Sequence, residues 1–176
     1  MPGKKDAFAN MATIAMVESA ANTLTYFKLE TGIALFEKVA WLISRLEFFL
    51  HARDVTTFAA NDDSVAWALC AANTLTTLFG GNTITDPRVI YGQRIKRMDF
   101  GTAGNADLYT DPQIIDFSTL PGGGILVPPN PLYGAIMGAS AGGAATGYLR
   151  IYYSNYQLSG ADEYWELVES RRVISA

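Results

Sequence analysis

The sequence predicts an all-β domain, a sandwich or barrel with one short helix at its C-terminal end. Three observations predict it: segments rich in β-branched and aromatic residues recur along the chain, turn-forming clusters mostly separate them, and the last of them alternates its side chains between two faces. At 176 residues the chain is long enough for one compact domain with a substantial core, and one domain is the expectation.

The elements follow in chain order. Residues 1–22 are grouped as an N-terminal arm or segment, 23–158 as the β domain, and 159–176 as a C-terminal helix and tail of the same domain. Thr23–Ile33 (TLTYFKLETGI) is the first predicted strand segment. Val39–Leu50 (VAWLISRLEFFL) also fits a helix, because Val39, Leu42, Ile43, Leu46 and Phe49 fall near helical spacing. Its β-rich neighbours and short length favour a strand. Ser64–Leu78 (SVAWALCAANTLTTL) and Arg88–Phe100 (RVIYGQRIKRMDF) follow. In Thr146–Leu158 (TGYLRIYYSNYQL), Leu149, Ile151 and Tyr153 alternate with Tyr148, Arg150 and Tyr152, which lines one strand with two different faces.

From Phe117 to Leu149 the chain carries no charge. Pro121, Pro128, Pro129, Pro131 and repeated glycines would break a membrane-spanning helix, so the segment reads as extended structure and loop. Gly122–Gly124 and Gly142–Gly143 are expected where the chain turns or abuts another chain. At the C-terminus, Ser159 followed by Asp162 and Glu163 reads as a helix start, and Arg171 and Arg172 sit where the helix dipole favours cations. Ala161, Trp165 and Val168 would form its apolar stripe.

Composition narrows the function. Charged residues make up 17% of the chain, against about 25% in typical soluble domains, while 49% are hydrophobic. A lone subunit covers itself poorly with so few charges, so much of its surface is expected to be buried against other subunits or against lipid. The net charge of −4, with Lys4-Lys5 as the sole basic cluster near the N-terminus, argues against strong direct nucleic-acid binding. No membrane contact and no signal peptide are predicted.

The chemistry of an active site is sparse. Gly138-Ala139-Ser140-Ala141-Gly142 matches the G-x-S-x-G pattern, but that pattern needs a helix after the serine and a histidine downstream, and the single histidine, His51, lies upstream. His51 is expected to end its element at the surface. The single cysteine, Cys70, sits in an apolar run and reads as a buried inert thiol. Asp62, Asp63, Asp107, Asp111 and Asp116 are expected in loops, where capping and turn formation explain them better than a calcium site. Gly122–Gly124 lacks the lysine and helix of a phosphate loop. No catalytic residue, cofactor or metal is assigned, and the chain is not read as an enzyme.

Three segments together carry a resemblance: Glu18–Trp41 (ESAANTLTYFKLETGIALFEKVAW), Asp116–Tyr133 (DFSTLPGGGILVPPNPLY) and Gly147–Ile174 (GYLRIYYSNYQLSGADEYWELVESRRVI). They resemble small capsid proteins of environmental viruses, of the single jelly-roll type. The resemblance implies a single jelly-roll-like antiparallel β-sandwich whose edges and loops make symmetric contacts in a shell, with copies of itself as partner and other capsid proteins as further partners. It places the chain in the virion, assembled inside the host cell. Many such proteins carry a strongly basic N-terminal arm, and this chain departs from that pattern: after Lys5 the first 22 residues hold only the acidic Asp6 and Glu18. The candidate subunit contacts are Pro128, Pro129 and Tyr133 in the uncharged segment and Tyr164, Trp165 and Val168 in the helix. The alternatives are a carbohydrate-binding β-sandwich, with Trp41, Trp67, Trp165 and tyrosines stacking on sugars, and a fibre, spike or appendage subunit.

Overall fold

Two twelve-residue strands, Val39–Leu50 and Thr146–Gln157, pair antiparallel along their whole length, from Val39 opposite Gln157 to Leu50 opposite Gly147. Around them the computed structural model describes residues 4–5, 9–31, 38–51, 64–80, 85–96, 112–128 and 131–170. In order the elements are β1 (Lys4–Lys5), β2 (Asn10–Val17), β3 (Thr25–Leu29), β4 (Val39–Leu50), β5 (Ser64–Cys70), β6 (Val89–Lys96), β7 (Gln113–Asp116), β8 (Ile125–Val127), β9 (Leu132–Ala139), β10 (Thr146–Gln157) and α1 (Ala161–Ser170).

The strands form two antiparallel sheets packed as a sandwich. In the first, β10 and β4 are central; β2 and the short β1 share the flank of β10, and β7 and β8 share the flank of β4. The second has the order β3-β9-β5-β6. β2 pairs with β10, β3 with β9, β4 with β7 and β8, and β5 with β6, so the chain is a long hairpin folded at its middle and rolled up. That pairing, first strand with last and inward from both ends, is the jelly-roll order.

Side-chain alternation builds the core between the sheets. From β4, Trp41, Ile43, Leu46, Phe48 and Leu50 point inward, the step from Ile43 to Leu46 marking an extra residue at Ser44. Phe117 N–H donates to Ser44 O at 2.8 Å where β7 ends, so this one bulge breaks the ladders on both flanks of β4. Phe48 stacks on Trp67 with centroids 4.8 Å apart, and Trp41 on Tyr153 at 3.6 Å. The Trp67 indole N–H donates to Gln113 Oε1 at 2.8 Å.

Residues 64–78, expected as one strand, divide in two. β5 ends at Cys70, and 71–80 fold back over the outer face of the second sheet, so β5 is buried on both faces. Leu75, Leu78 and Phe79 pack there on Ala66, Ala68, Cys70 and Ala135, a second small core that explains the unbroken apolar run. Arg88 fixes this cover: its guanidinium binds Asp86 in a fork at 2.9 and 2.6 Å and Thr74 Oγ1 at 2.8 Å.

Other differences are local. Asn10–Val17, grouped with an N-terminal arm on sequence, is a strand of the sandwich. The segment 117–149, by contrast, holds β8, β9 and the start of β10 between turns, in agreement with its reading as extended β structure and loop. The helix begins as expected: Glu163 accepts from the Ser159 hydroxyl at 2.6 Å and its N–H at 3.0 Å. Arg171 and Arg172 lie outside the described residues.

Candidate assembly surfaces

The outer face of the first sheet is laid out in rows by strand register. One row reads Met11, Tyr152, Arg45, Asp116; the next Thr13, Arg150, Glu47, Ile114; the third Ala15, Tyr148, Phe49. Glu47 faces outward yet is only 6% exposed, because its neighbours close over it. Arg45 Nη2 reaches it at 2.5 Å, Arg150 Nη1 at 3.3 Å, and the Tyr152 hydroxyl donates at 3.1 Å. The guanidinium carbons lie over aromatic rings, Arg45 over Tyr152 at 5.5 Å and Arg150 over Phe49 at 5.3 Å.

Around this ionic centre stand apolar side chains in water. Met11 is 56% exposed, Val17 49%, Ile114 54% and Tyr148 42%. A sheet face combining Tyr, Met, Phe and paired Arg has the composition of a protein contact, where aromatics, Met and Arg are enriched and Lys is depleted.

The contacts expected on sequence are placed differently. Pro128 is buried within the subunit, so it is no surface contact. Tyr133 is half-buried at the second core, its ring edge-on to Tyr26 at 6.2 Å. Pro129 lies outside the described residues, as do the side chains of Tyr164 and Val168. Trp165 is 57% exposed, and Leu167 of the helix packs on the sandwich against Leu158 and Ala40. Trp41 and Trp67 are core residues and cannot stack on a sugar at the surface.

A residue missed on sequence organises one end of the sandwich. The buried carboxylate of Glu18 accepts from three backbone N–H groups: Gly138 at 2.5 Å, Ala145 at 2.6 Å and Thr23 at 3.2 Å. Asn22, with φ of 60°, exchanges two hydrogen bonds with the backbone of Ala141 at 2.8 and 3.0 Å. Together they hold the β9–β10 loop that contains the G-x-S-x-G match. Ser140 in that loop is exposed with φ of 57°, and the element after it is strand β10, not the helix an activated serine needs.

The remaining chemistry is muted. Cys70 is fully buried, and burial, with Asp86 nearby, pushes its thiol pKa to about 12. Burial, together with the field of Cys70, likewise raises Tyr26 to about 12, while its hydroxyl donates to Leu75 O at 3.2 Å. The His51 ring meets Tyr148 edge-on at 6.5 Å. Asp116 accepts from Ser118 N–H at 2.8 Å as a turn former; Asp62, Asp63, Asp107 and Asp111 lie outside the described residues. No group of metal-ligating side chains and no helix long and apolar enough to cross a membrane occurs among the described residues. A cavity of about 530 Å³ opens where the cover meets β6, floored by Ala66, Ala68 and Gly92 and walled by Phe79 and Arg94. No protein-family model matches the chain, and no curated protein matches it closely enough to identify a relative.

Proposed function

We propose that this chain is a structural subunit that assembles with copies of itself into a closed shell, the role of a viral capsid protein. The observation that carries the reading is the outer face of the first sheet, with exposed Met11, Val17, Ile114 and Tyr148 around the Arg45–Glu47–Arg150 cluster on a jelly-roll sandwich. Burial of that face against other subunits removes apolar area from water at about 25 cal/mol per Å². A chain with 17% charged residues has little else with which to solvate it. Jelly rolls serve many functions, so the fold alone decides nothing. With net charge −4 the folded domain would leave the genome to another component.

The test is to express the full chain and follow its mass by sedimentation and negative-stain imaging across a range of salt. Closed particles or rings of fixed stoichiometry are the expected result. Open filaments would replace the shell with a fibre or appendage, and a monomer at all salts and concentrations would overturn self-assembly.

A further inference from the structure

A sheet edge is a row of unmet backbone hydrogen-bonding groups, and proteins ordinarily defend it with charge, proline, a bulge or shortness. Among the described residues, three of the four sheet edges are defended. β3 carries Lys28, β6 carries Arg94, and β7 and β8 are four and three residues long. β2 is the exception: its eight residues, NMATIAMV, carry no charge, proline or glycine, and the lysines of β1 on the same flank lie beyond its Asn10 end. Among the described residues it pairs with β10 alone.

The ladder shows which groups are left over. Glu18 N–H donates to Ala145 O at 2.9 Å, and on the other side of β10, His51 N–H donates to Thr146 O at 2.8 Å. Antiparallel pairing alternates, so Met16, Ile14, Ala12 and Asn10 direct their backbone groups to β10. Met11, Thr13, Ala15 and Val17 direct theirs away from it, and the same four side chains are exposed on the outer face.

We propose that β2 pairs antiparallel with β2 of a second copy about a two-fold axis at Ile14, joining the first sheets of two subunits into one. This rests on the self-assembly reading and names the contact. The register places Met11 opposite the second copy's Val17 and Thr13 opposite its Ala15. It alone uses all four free residues of each strand, each facing pair exchanging two hydrogen bonds. It also brings the exposed side chains of Met11 and Val17 together, and no charge opposes another along the contact. A copy of β2 fits better than a foreign strand because one event satisfies two identical edges and leaves neither open, which is the property of an isologous contact.

Two measurements test it on the full chain. Thr13→Cys and Ala15→Cys variants are made separately, mixed and oxidised. Facing residues stand about 5.5 Å apart at Cα, within disulfide range, whereas Thr13 to Thr13 and Ala15 to Ala15 across the axis exceed about 7 Å. The mixture should therefore give on the order of tenfold more cross-linked dimer than either variant alone. Second, Ala15→Pro removes an N–H that the subunit itself does not use, so the monomer should keep its circular dichroism while the dimer contact is lost. Assembly with no cross-link preference and unaltered by Ala15→Pro would overturn the two-fold strand contact and leave self-assembly standing. Assembly lost in Ala15→Pro but without the Thr13–Ala15 cross-link would mean that another segment occupies the edge, which also overturns it. No association of any kind would overturn both.

Discussion

Glu18 Oε1 accepts a hydrogen bond from Gly138 N–H at 2.5 Å, joining positions 120 apart in the chain at the point where β2 leaves its sheet and β9 ends. With Ala145 and Thr23 as further donors, the carboxylate holds three N–H groups that water cannot reach easily. Glutamine has one acceptor oxygen and turns an NH2 group toward those donors. Glu18→Gln is expected to cost about 2–3 kcal/mol in urea denaturation, from lost charge-assisted bonds and unsatisfied buried N–H groups. A change under about 0.5 kcal/mol, the scale of an ordinary surface substitution, would mean that the carboxylate is incidental.

Gly147 permits the central aromatic stack. A Cβ at this position would lie 2.6 Å from two ring carbons of Phe48, which is pinned against Trp67 and fully buried. Gly147→Ala is therefore expected to destabilise by about 1–3 kcal/mol through overpacking. Displacing Phe48 should also change the Trp67 fluorescence. Unchanged emission together with unchanged stability would contradict the contact.

Cys70 should be unreactive to a thiol reagent at pH 8 until the protein unfolds. The Asp86–Arg88 fork fixes the cover over it, so Asp86→Asn should accelerate labelling. The folded thiol pKa, at about 12, lies above its ordinary 9.0, so the unfolded chain ionises first as the solution turns alkaline. Stability is thus intact below pH 9 and falls above it, by up to about 1.4 kcal/mol per pH unit from this group until about pH 12. Cys70→Ala should flatten that part of the stability profile, and an equally steep decline would refute the assignment.

The opposite sign applies to Asp86. Its hydrogen bonds to Arg88 hold the carboxyl below the ordinary 3.8. The pairing contributes fully above that value and is lost as the pH falls through the lower folded one. Hydrogen exchange of residues 71–80 should therefore accelerate in strong acid in the wild type, with a weaker pH response in Asp86→Asn. Equal responses would exclude the fork as the anchor of the cover.

On the outer face, Tyr148→Asp should leave folding intact, since the side chain is 42% exposed, yet oppose assembly. A contact worth about 1.4 kcal/mol raises the threshold concentration about tenfold when removed. Sedimentation against concentration reads this out. An unchanged threshold would remove Tyr148 from the assembly surface.

Much of the sandwich was legible because β-branched and aromatic residues fill β4 and β10. Alternation marks β10, whereas β4 also fits helical spacing and only its β-rich neighbours and short length favoured a strand. β2 escaped notice because both its faces are apolar, Met11 and Val17 outside, Ile14 and Met16 inside, which erases the alternation that betrays a strand. β5 appeared too long because residues 71–78 continue its leucines and alanines and add β-branched threonines. The outer-face cluster was out of reach for a different reason: Glu47 and Arg150 are 103 positions apart, and only strand register makes them neighbours. Burial of Pro128 reflects packing that no local pattern reveals.

The rolled hairpin also sets a timetable. β2 and β4 have only β10 between them, so the first sheet stays split until residues 146–157 have left the ribosome. Long-range pairings of this kind form slowly and late. A nascent or truncated chain therefore lacks a finished first sheet until β10 has emerged.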